Sequence, residues 1–199
     1  MLEIEIKAAL KKITKDTVID ALHAAGFEEG RLKRESDLYF NGNDRDFRQT
    51  DEALRIRSSR SLKPSGPTIC SLTYKGKKTD GRSQTRQEWE TRISHQGTIK
   101  EILLHLGYRP FFTVSKERYY FHRGPITACL DQVEGLGNFL ELEQAANLDA
   151  SDPDAAAQKE CVIDSLLNIL EELGIPKENL LQESYLELLM NKKQGSDPE

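Results

Sequence analysis

The stretch Leu2-Glu3-Ile4-Glu5-Ile6-Lys7 decides the fold, because it alternates apolar and charged residues without a break. Side chains of a β-strand point alternately to its two faces, so Ile4 and Ile6 share one face and the three charged residues share the other. Ordinary wet sheet faces are filled with Ser, Thr and Gln instead of full charges. The stretch therefore predicts a strand with one apolar face and one fully charged face.

The same alternation returns in six later segments, each with charges on one phase of a strand. Spacing of the charges by itself carries no signal in a chain this rich in acids, whereas an apolar residue between two acids fits a strand. Glu35 and Asp37 enclose a Ser and are therefore left outside the set. The set holds seven acids and seven bases: Glu3, Glu5, Glu88, Glu90, Asp131, Glu141 and Glu143, with Lys7, Arg55, Arg57, Lys75, Arg86, Lys116 and Arg118.

About eight strands and four helices follow from the periodicities and the turn residues. The predicted strands cover residues 2–7, 37–40, 53–58, 69–75, 85–93, 114–122, 126–133 and 138–144, and the helices cover 14–25, 98–106, 154–173 and 176–190. Residues 58–67 are predicted to be a mobile hairpin tip. If the strands close into a barrel under external helices, the apolar phase must face outward and the charged phase inward. The predicted fold class is α+β, mainly antiparallel β, with an eight-stranded tunnel-like barrel and a charged lumen.

Length and composition bound the organisation of the chain. Its 199 residues suit one domain, predicted over 1–190, with a barrel core at 1–144, C-terminal helices at 152–190 and a flexible tail at 191–199. A net charge of -5 argues against a general surface for duplex nucleic acid. No apolar run approaches the roughly 18 residues of a membrane span, so we expect a cytoplasmic protein with no membrane partner. Three scattered cysteines indicate neither a disulfide framework nor a zinc site.

A lumen that carries both signs of charge suits a ligand that also carries both signs. The natural candidate is a polyphosphate with a divalent metal ion, because carboxylates bind the cation while Arg and Lys bind phosphate oxygens. All of the proposed ligand atoms are oxygens, which favours Mg²⁺ or Mn²⁺ over zinc.

Several motifs together resemble one known family, the CYTH or triphosphate tunnel metalloenzyme family. They are Glu3-x-Glu5-x-Lys7, Asp37-Leu38-Tyr39-Phe40, Ala53-Leu54-Arg55-Ile56-Arg57, Leu72-Thr73-Tyr74-Lys75, Arg86-x-Glu88-x-Glu90, Lys116-x-Arg118 and Glu141-x-Glu143, in this order. The segment 131–139 is most similar to the class IV adenylate cyclase branch. The resemblance covers residues 1 to about 144 and implies an eight-stranded antiparallel barrel that is open at both ends.

The resemblance also implies roles for individual residues. Metal binding is implied for Glu3, Glu5, Glu141 and Glu143, with Glu88, Glu90 and Asp131 as further candidates. Binding of the triphosphate is implied for Arg55, Arg57, Lys75, Arg86 and Arg118, together with Lys7 and Lys116. Lys7, Lys116 and Asp131 are the candidates for catalysis.

Three functions are compatible with these expectations. The first is an adenylate cyclase that converts ATP to cyclic AMP and pyrophosphate, with Mg²⁺ or Mn²⁺ as cofactor. The second is a hydrolase of thiamine triphosphate, inorganic triphosphate or a nucleotide, since a water that attacks the γ-phosphorus needs nearly the same groups. The third is a non-catalytic module that binds nucleotide or polyphosphate, because fold does not decide function. A homodimer is compatible with the family and with an exposed stripe on the last helix.

Overall fold

The chain forms nine strands and five helices over residues 2–146 and 154–194, which are the residues that the computed structural model describes. The strands are β1 (Leu2–Ala9), β2 (Glu28–Asn41), β3 (Ala53–Lys63), β4 (Ser65–Lys75), β5 (Arg86–Ile93), β6 (Arg109–Arg123), β7 (Ile126–Val133), β8 (Gly137–Ala146) and β9 (Leu180–Leu181). The helices are α1 (Lys15–Ala24), α2 (Phe47–Thr50), α3 (Gln96–His105), α4 (Ala155–Glu172) and α5 (Tyr185–Gln194).

The strands pair side by side into an antiparallel ring. Their order is β5-β4-β3-β2-β6-β7-β8-β1-β9, and β1 pairs again with β5 to close the ring. The predicted eight-stranded antiparallel barrel is therefore confirmed, with the two-residue β9 as an addition. No helix among the described residues has the length and apolar composition that crossing a bilayer requires.

The seam between β1 and β5 is short. Only Leu2 and Glu3 of β1 pair with β5, whereas the far end of β1 pairs with β9. Between these two contacts, the backbone N–H of Gln84 donates a hydrogen bond to the carbonyl oxygen of Glu5 at 2.8 Å. The C-terminal segment therefore completes a wall of the barrel that β5 does not cover.

The apolar phase of the strands faces outward into a core beneath the helices, as the alternation predicts. Ile4 and Ile6 of β1 are buried in one cluster with Val18 of α1 and with Ile163 and Leu166 of α4. Burial of these side chains is the main term that holds the helices on the barrel, since each stabilises the fold by about 1.5–3 kcal/mol. The inside of the barrel is left to the charged phase.

Two further apolar clusters attach α3 and α5. Leu103 of α3 packs with Phe40, Phe47 and Ile56 on one side of the barrel. A separate cluster joins Tyr185 and Leu186 of α5 to inward or rim residues of four strands, which are Tyr39, Val114, Val133 and Phe139. The start of α5 is therefore packed against one end of the barrel.

The first helix begins and ends where the capping residues predict. The hydroxyl of Thr14 accepts a hydrogen bond from the backbone N–H of Thr17, which satisfies a free donor of the first turn. Gly26 follows the helix with a φ of +79°, a conformation that favours glycine.

The prediction of one last helix over 176–190 is wrong. Residues Lys177–Asn179 form a 3-10 turn, β9 follows, and α5 starts only at Tyr185 and continues to Gln194. The start is set by a capping box, in which Glu187 N–H donates to Ser184 Oγ at 3.2 Å and Ser184 N–H donates to Glu187 Oε2 at 2.6 Å. The predicted tail thus begins as helix, while residues 195–199 and 147–153 lie outside the described part of the chain.

The other differences concern strand length. Residues 58–67 form a hairpin, as predicted, but most of them are strand, because β3 continues to Lys63 and pairs with β4 from Ser65. β2 and β6 are also longer than the apolar alternation indicates, and they pair with each other over most of their length. Strand pairing across the ring satisfies the backbone donors and acceptors of these polar segments, which their side-chain pattern does not reveal.

Candidate active site

The charged face of the barrel encloses a cavity of about 810 Å³. Every member of the predicted inward set contributes to its lining except Asp131. The predicted residues that line it are Glu3, Glu5, Lys7, Arg55, Arg57, Lys75, Arg86, Glu88, Glu90, Lys116, Arg118, Glu141 and Glu143. The alternation in the sequence thus converges in space on one enclosed chamber.

Three glutamates of β1 and β8 form an acidic cluster in this chamber. Glu5 and Glu143 are directly paired across the two strands, and Glu3 lies two residues from Glu5 on the same face. One carboxylate oxygen from each lies within 4.8 Å of the others. Oε1 of Glu5 is buried and has no hydrogen-bond donor, its nearest cation being Lys7 Nζ at 3.5 Å.

The proximity of these carboxylates disfavours their ionised forms. Burial, followed by the charge of Glu3, raises the pKa of Glu143 to about 8. Burial and the charge of Glu141 likewise raise the pKa of Glu5. Glu3 accepts from Lys75 Nζ at 2.9 Å, but Glu5 Oε1 has no donor. A hard divalent cation is the group that this set fits, because it would supply the missing contact and favour the ionised carboxylates.

Three more of the predicted metal ligands, Glu141, Glu88 and Glu90, have protein partners instead. Glu141 accepts from the guanidinium of Arg118 and lies 3.2 Å from Lys7 Nζ. Although burial opposes it, the charges of Arg118 and Lys7 hold the pKa of Glu141 well below its usual value. Glu88 lies 2.6 Å from Lys75 Nζ, and Glu90 accepts from Thr73 Oγ1 at 2.7 Å. These three acids are therefore engaged by protein donors.

Asp131 lies behind the cavity wall and orients the cations in front of it. Arg118 donates to both of its carboxylate oxygens, at 2.7 and 2.5 Å, and Lys116 Nζ lies 3.7 Å away. The side chain of Asp131 is fully buried. Asp131 is not among the residues that line the cavity, whereas Lys7 and Lys116 are, and its role in catalysis stays a prediction.

Two buried acids on β2, Glu35 and Asp37, orient cations of the neighbouring strands in the same way. Arg57 donates to both oxygens of Asp37 at 2.7 Å, and its Nη1 lies 3.2 Å from Glu35. Burial opposes ionisation of both groups, but Arg57 and Lys116 lower the pKa of Glu35 to about 2. Arg57 and Arg55 hold the pKa of Asp37 further down, again against the effect of burial.

The sequence pattern missed Glu35 and Asp37 as members of this site. Both lie on the same face of the strand as Tyr39. The residue between them is Ser36, and a polar residue there does not match the pattern of an apolar residue between two acids. The side chain of Ser36 is half-buried on the outer face of β2, where polar residues are tolerated. The available signal was that Glu35, Asp37 and Tyr39 occupy every second position and so share one face of a strand. The polar Ser36 between the two acids obscured it.

Arg86 differs from the other arginines of the cavity. Arg55, Arg57 and Arg118 each lie within 4 Å of at least one carboxylate. Within the described parts of the chain, no carboxylate lies that close to Arg86, although only 6% of its surface is exposed. Its guanidinium is therefore available to an anion in the lumen.

One end of the cavity combines apolar and charged residues. Its lining includes Tyr39, Phe47, Phe111, Leu186 and Met190. Tyr185 and Gln84, which the sequence analysis did not single out, also line the cavity. Lys7 Nζ donates to Gln84 Oε1 at 3.3 Å and lies 4.2 Å from the centre of the Tyr185 ring.

Comparisons with known proteins identify relatives of full length. A protein of Methanocaldococcus jannaschii, provisionally named an adenylate cyclase, is 40% identical over 188 residues, which are 94% of this chain and 98% of that protein. The solved structure of PH1819 from Pyrococcus horikoshii has a TM-score of 0.81 and 35% identity, and the match covers 96% of this chain and 99% of that one.

A third match is more distant. It is a Hippeastrum protein provisionally named an adenylyl cyclase and described as having a dominant triphosphatase activity. The TM-score is 0.60 at 16% identity, and the match covers 97% of this chain and 95% of that one. At this level of identity the likeness concerns the fold alone.

A family model bears on the whole site. The model of the CYTH domain matches residues 1–185, which include every strand of the barrel and Tyr185 at the start of α5. The predicted resemblance is therefore confirmed, and the chain belongs to the CYTH family.

Proposed function

We propose that this protein is a metal-dependent adenylate cyclase that converts ATP to cyclic AMP and pyrophosphate inside the barrel. CYTH proteins are adenylate cyclases or triphosphatases that bind triphosphate substrates and in general depend on metal ions. The observation that carries the proposal is that one cavity holds both three converging carboxylates, of which Glu5 Oε1 lacks a donor, and a wall of oriented cations. A metal-bound nucleoside triphosphate has the matching distribution of charge.

Glu3, Glu5 and Glu143 would bind Mg²⁺ or Mn²⁺, since their carboxylates converge and Glu5 Oε1 lacks a donor. When bound, such a cation supplies Lewis-acid chemistry, namely a lower pKa of a hydroxyl nucleophile and partial neutralisation of phosphate charge. The cluster occupies the wall formed by β1 and β8.

The basic residues would hold the triphosphate. Arg57 and Arg118 each use two N–H groups on Asp37 or Asp131, which leaves further donors of each planar guanidinium to point at phosphate oxygens. No carboxylate of the described residues lies within 4 Å of Arg86, so Arg86 can accept a phosphate without breaking an ion pair to them. Fixed donors of this kind stabilise charge that grows in a transition state, because they need no reorganisation.

The reaction requires one bond to form and one to break. The ribose 3′-oxygen attacks the α-phosphorus, the bond from that phosphorus to the bridging oxygen breaks, and the hydroxyl proton is released to solvent. Pyrophosphate leaves with added negative charge. Lys7 and Lys116 face the cavity and would neutralise that charge, and Asp131 would keep Arg118 and Lys116 directed towards it.

The apolar end of the cavity supports an organic triphosphate as substrate. Tyr39, Phe47, Phe111, Leu186 and Met190 offer a surface to a base and a sugar that inorganic triphosphate would not use. The name of the Methanocaldococcus relative supports a cyclase.

Hydrolysis of a triphosphate is the second candidate, because water can attack in place of the ribose hydroxyl with the same cation wall. The activity described for the Hippeastrum protein, whose fold this chain shares, keeps this candidate open.

Incubation of the pure protein with ATP and Mg²⁺ or Mn²⁺, followed by chromatographic separation of the products, tests the proposal. Cyclic AMP with pyrophosphate is the expected result. ADP with phosphate, or AMP with pyrophosphate, would assign a hydrolase instead. Binding of ATP without turnover would indicate a non-catalytic module. Glu5→Gln serves as the matched control, because it should remove the metal-dependent product without removing the cation wall.

A further inference from the structure

Tyr185 packs the start of α5 against the barrel and also contacts charged residues of the lumen. It is the first residue of α5, and 6% of its surface is exposed. Its hydroxyl donates to Asp131 Oδ2 at 2.9 Å. Its ring centre lies 4.2 Å from Lys7 Nζ and 5.2 Å from Lys116 Nζ. One side chain therefore touches two of the three lumen lysines that the sequence predicts and the acid that orients Arg118.

The contacts with the lysines are attractive, and burial strengthens them. The negative face of an aromatic ring attracts an ammonium group, and the attraction grows when water is excluded. Lysine has a long flexible side chain, so a fixed aromatic face restricts where its ammonium group can lie. Lys7 Nζ also donates to the carbonyl oxygen of Glu183 at 3.4 Å. The C-terminal segment thus supplies two of the groups around Lys7.

The hydroxyl of Tyr185 keeps its proton and donates a hydrogen bond to Asp131. Burial and the charge of Asp131 raise the pKa of Tyr185 well above its usual value, so the group stays protonated. Asp131 consequently receives donors from Arg118 and Tyr185 together. Loss of one of them would leave part of a fully buried carboxylate unsatisfied, which is costly.

Tyr185 is itself held in place by its neighbours on β8 and at the start of α5. Phe139 packs against its ring edge-on at 5.0 Å between centres. The capping box of Ser184 and Glu187 fixes the start of α5, and Glu187 Oε1 lies 3.2 Å from Lys78 Nζ. The ring is therefore placed on a rigid support at the end of the barrel.

We propose that Tyr185 is a positioning residue that couples the C-terminal helix to the catalytic cavity. Its ring sets the place of the Lys7 and Lys116 ammonium groups, and its hydroxyl keeps Asp131 aligned with Arg118. This inference rests on the proposed function only in that the lysines are taken to contact the triphosphate. It goes beyond that function by assigning a residue of α5 to the site.

Two variants separate the ring from the hydroxyl. Tyr185→Phe keeps the ring and removes the donor, whereas Tyr185→Leu removes both. Leu188→Ala is the matched control, because Leu188 packs in the same apolar cluster of α5 and does not line the cavity. The melting temperature of each variant shows how much packing has been lost.

The first measurement is the affinity for inorganic triphosphate by titration calorimetry, which needs no turnover. We expect Tyr185→Leu to weaken binding at least tenfold and Tyr185→Phe to weaken it by less than threefold. Leu188→Ala should not weaken binding, although its melting temperature should fall about as much as that of Tyr185→Leu. Equal losses in Tyr185→Leu and Leu188→Ala would reduce Tyr185 to a packing residue and overturn the proposal. So would wild-type affinity in Tyr185→Leu.

The second measurement needs no ligand and therefore stands even if the cyclase proposal fails. In protein labelled with ¹³C-lysine, the protons next to Lys7 Nζ should be shifted upfield by the ring, and Lys7→Arg identifies their signal. The shift should persist in Tyr185→Phe and in Leu188→Ala and vanish in Tyr185→Leu. Absence of the shift in the wild-type protein would show that the ring does not hold Lys7. If the shift is present but triphosphate does not bind, the positioning stands and the proposed function fails.

Discussion

Glu5 and Glu143 face each other across the β1–β8 pair, and their carboxylate oxygens lie within 4.8 Å of each other and of an oxygen of Glu3. Two full negative charges at that distance would repel by about 3 kcal/mol at an effective dielectric of 20, and burial together with such repulsion raises the pKa of Glu143 to about 8. In the absence of a cation, closure of the barrel leaves this repulsion unrelieved. Binding of a divalent cation to the three carboxylates would relieve it.

Glu5→Gln should weaken Mn²⁺ binding at least tenfold and lower turnover at least a hundredfold. The free energy of unfolding without metal should stay equal or rise by about 1 kcal/mol, because burial and the neighbouring acids already disfavour the ionised form of Glu5. Titration calorimetry with Mn²⁺ measures the affinity, and urea unfolding without metal measures the stability. Glu101→Gln, an exposed position on α3, is the control. Unchanged Mn²⁺ affinity in Glu5→Gln would remove Glu5 from the metal site.

Arg57→Ala and Arg86→Ala should both weaken triphosphate binding, but only the first should destabilise the fold. Removal of Arg57 leaves Asp37 and Glu35 buried without their main partner, which costs about 3 kcal/mol. No described carboxylate depends on Arg86, so its removal should cost less than about 1 kcal/mol. Calorimetry with inorganic triphosphate measures the affinity of each variant, and urea unfolding measures its free energy of unfolding.

Arg92→Ala is the control for this pair, because Arg92 lies on the same strand and phase as Arg86 but is exposed and outside the cavity lining. It should leave binding and stability unchanged. Full triphosphate affinity in Arg86→Ala would mean that its guanidinium does not meet the ligand.

Glu35→Gln should change the dependence of stability on pH. The pKa of Glu35 is lowered to about 2 in the folded chain, against an ordinary value of 4.5. A lowered pKa stabilises the folded state fully above the unfolded pKa, and the contribution fades as the pH falls from 4.5 towards 2. We expect the wild type to exceed Glu35→Gln by about 3 kcal/mol at pH 7 and by much less at pH 2.5.

Urea unfolding at both pH values measures this difference. Glu117→Gln is the control, since Glu117 pairs with the exposed Arg34 and such surface pairs contribute about 0–1 kcal/mol. A gap between wild type and Glu35→Gln that stays constant with pH would contradict the ion pairing of Glu35 with Arg57 and Lys116.

Asp131→Asn should lower both stability and triphosphate affinity, although Asp131 does not line the cavity. The substitution removes the charge that holds Arg118 and Lys116, and breaking a buried pair costs about 3–5 kcal/mol. We expect affinity to fall about tenfold, because Arg118 loses its fixed orientation. Unfolding and calorimetry measure both effects, and a variant with lower stability but full affinity would limit Asp131 to a structural role.

The fold was largely predictable because its main determinant is local. Whether Ile4 and Glu5 point to opposite faces depends only on the geometry of one strand, and repetition of that pattern implies an outward apolar core. The end of the chain was less predictable. Leu180 and Leu181 have apolar side chains that suit a helix, but their backbone pairs with the free edge of β1, which is a tertiary contact.

The amino-acid sequence determined by itself most of the side chains that would face the lumen, although not Asp37, and so that the lumen would carry acids and bases together. Only the tertiary structure decided which acids remain free and which are paired. Glu143 meets Glu5, while Asp131 meets Arg118 and Asp37 meets Arg57, because strand neighbours and their register bring them opposite each other. The physical reason is that phase along a strand is a local property, whereas ion pairing requires contact between strands that are distant in the chain.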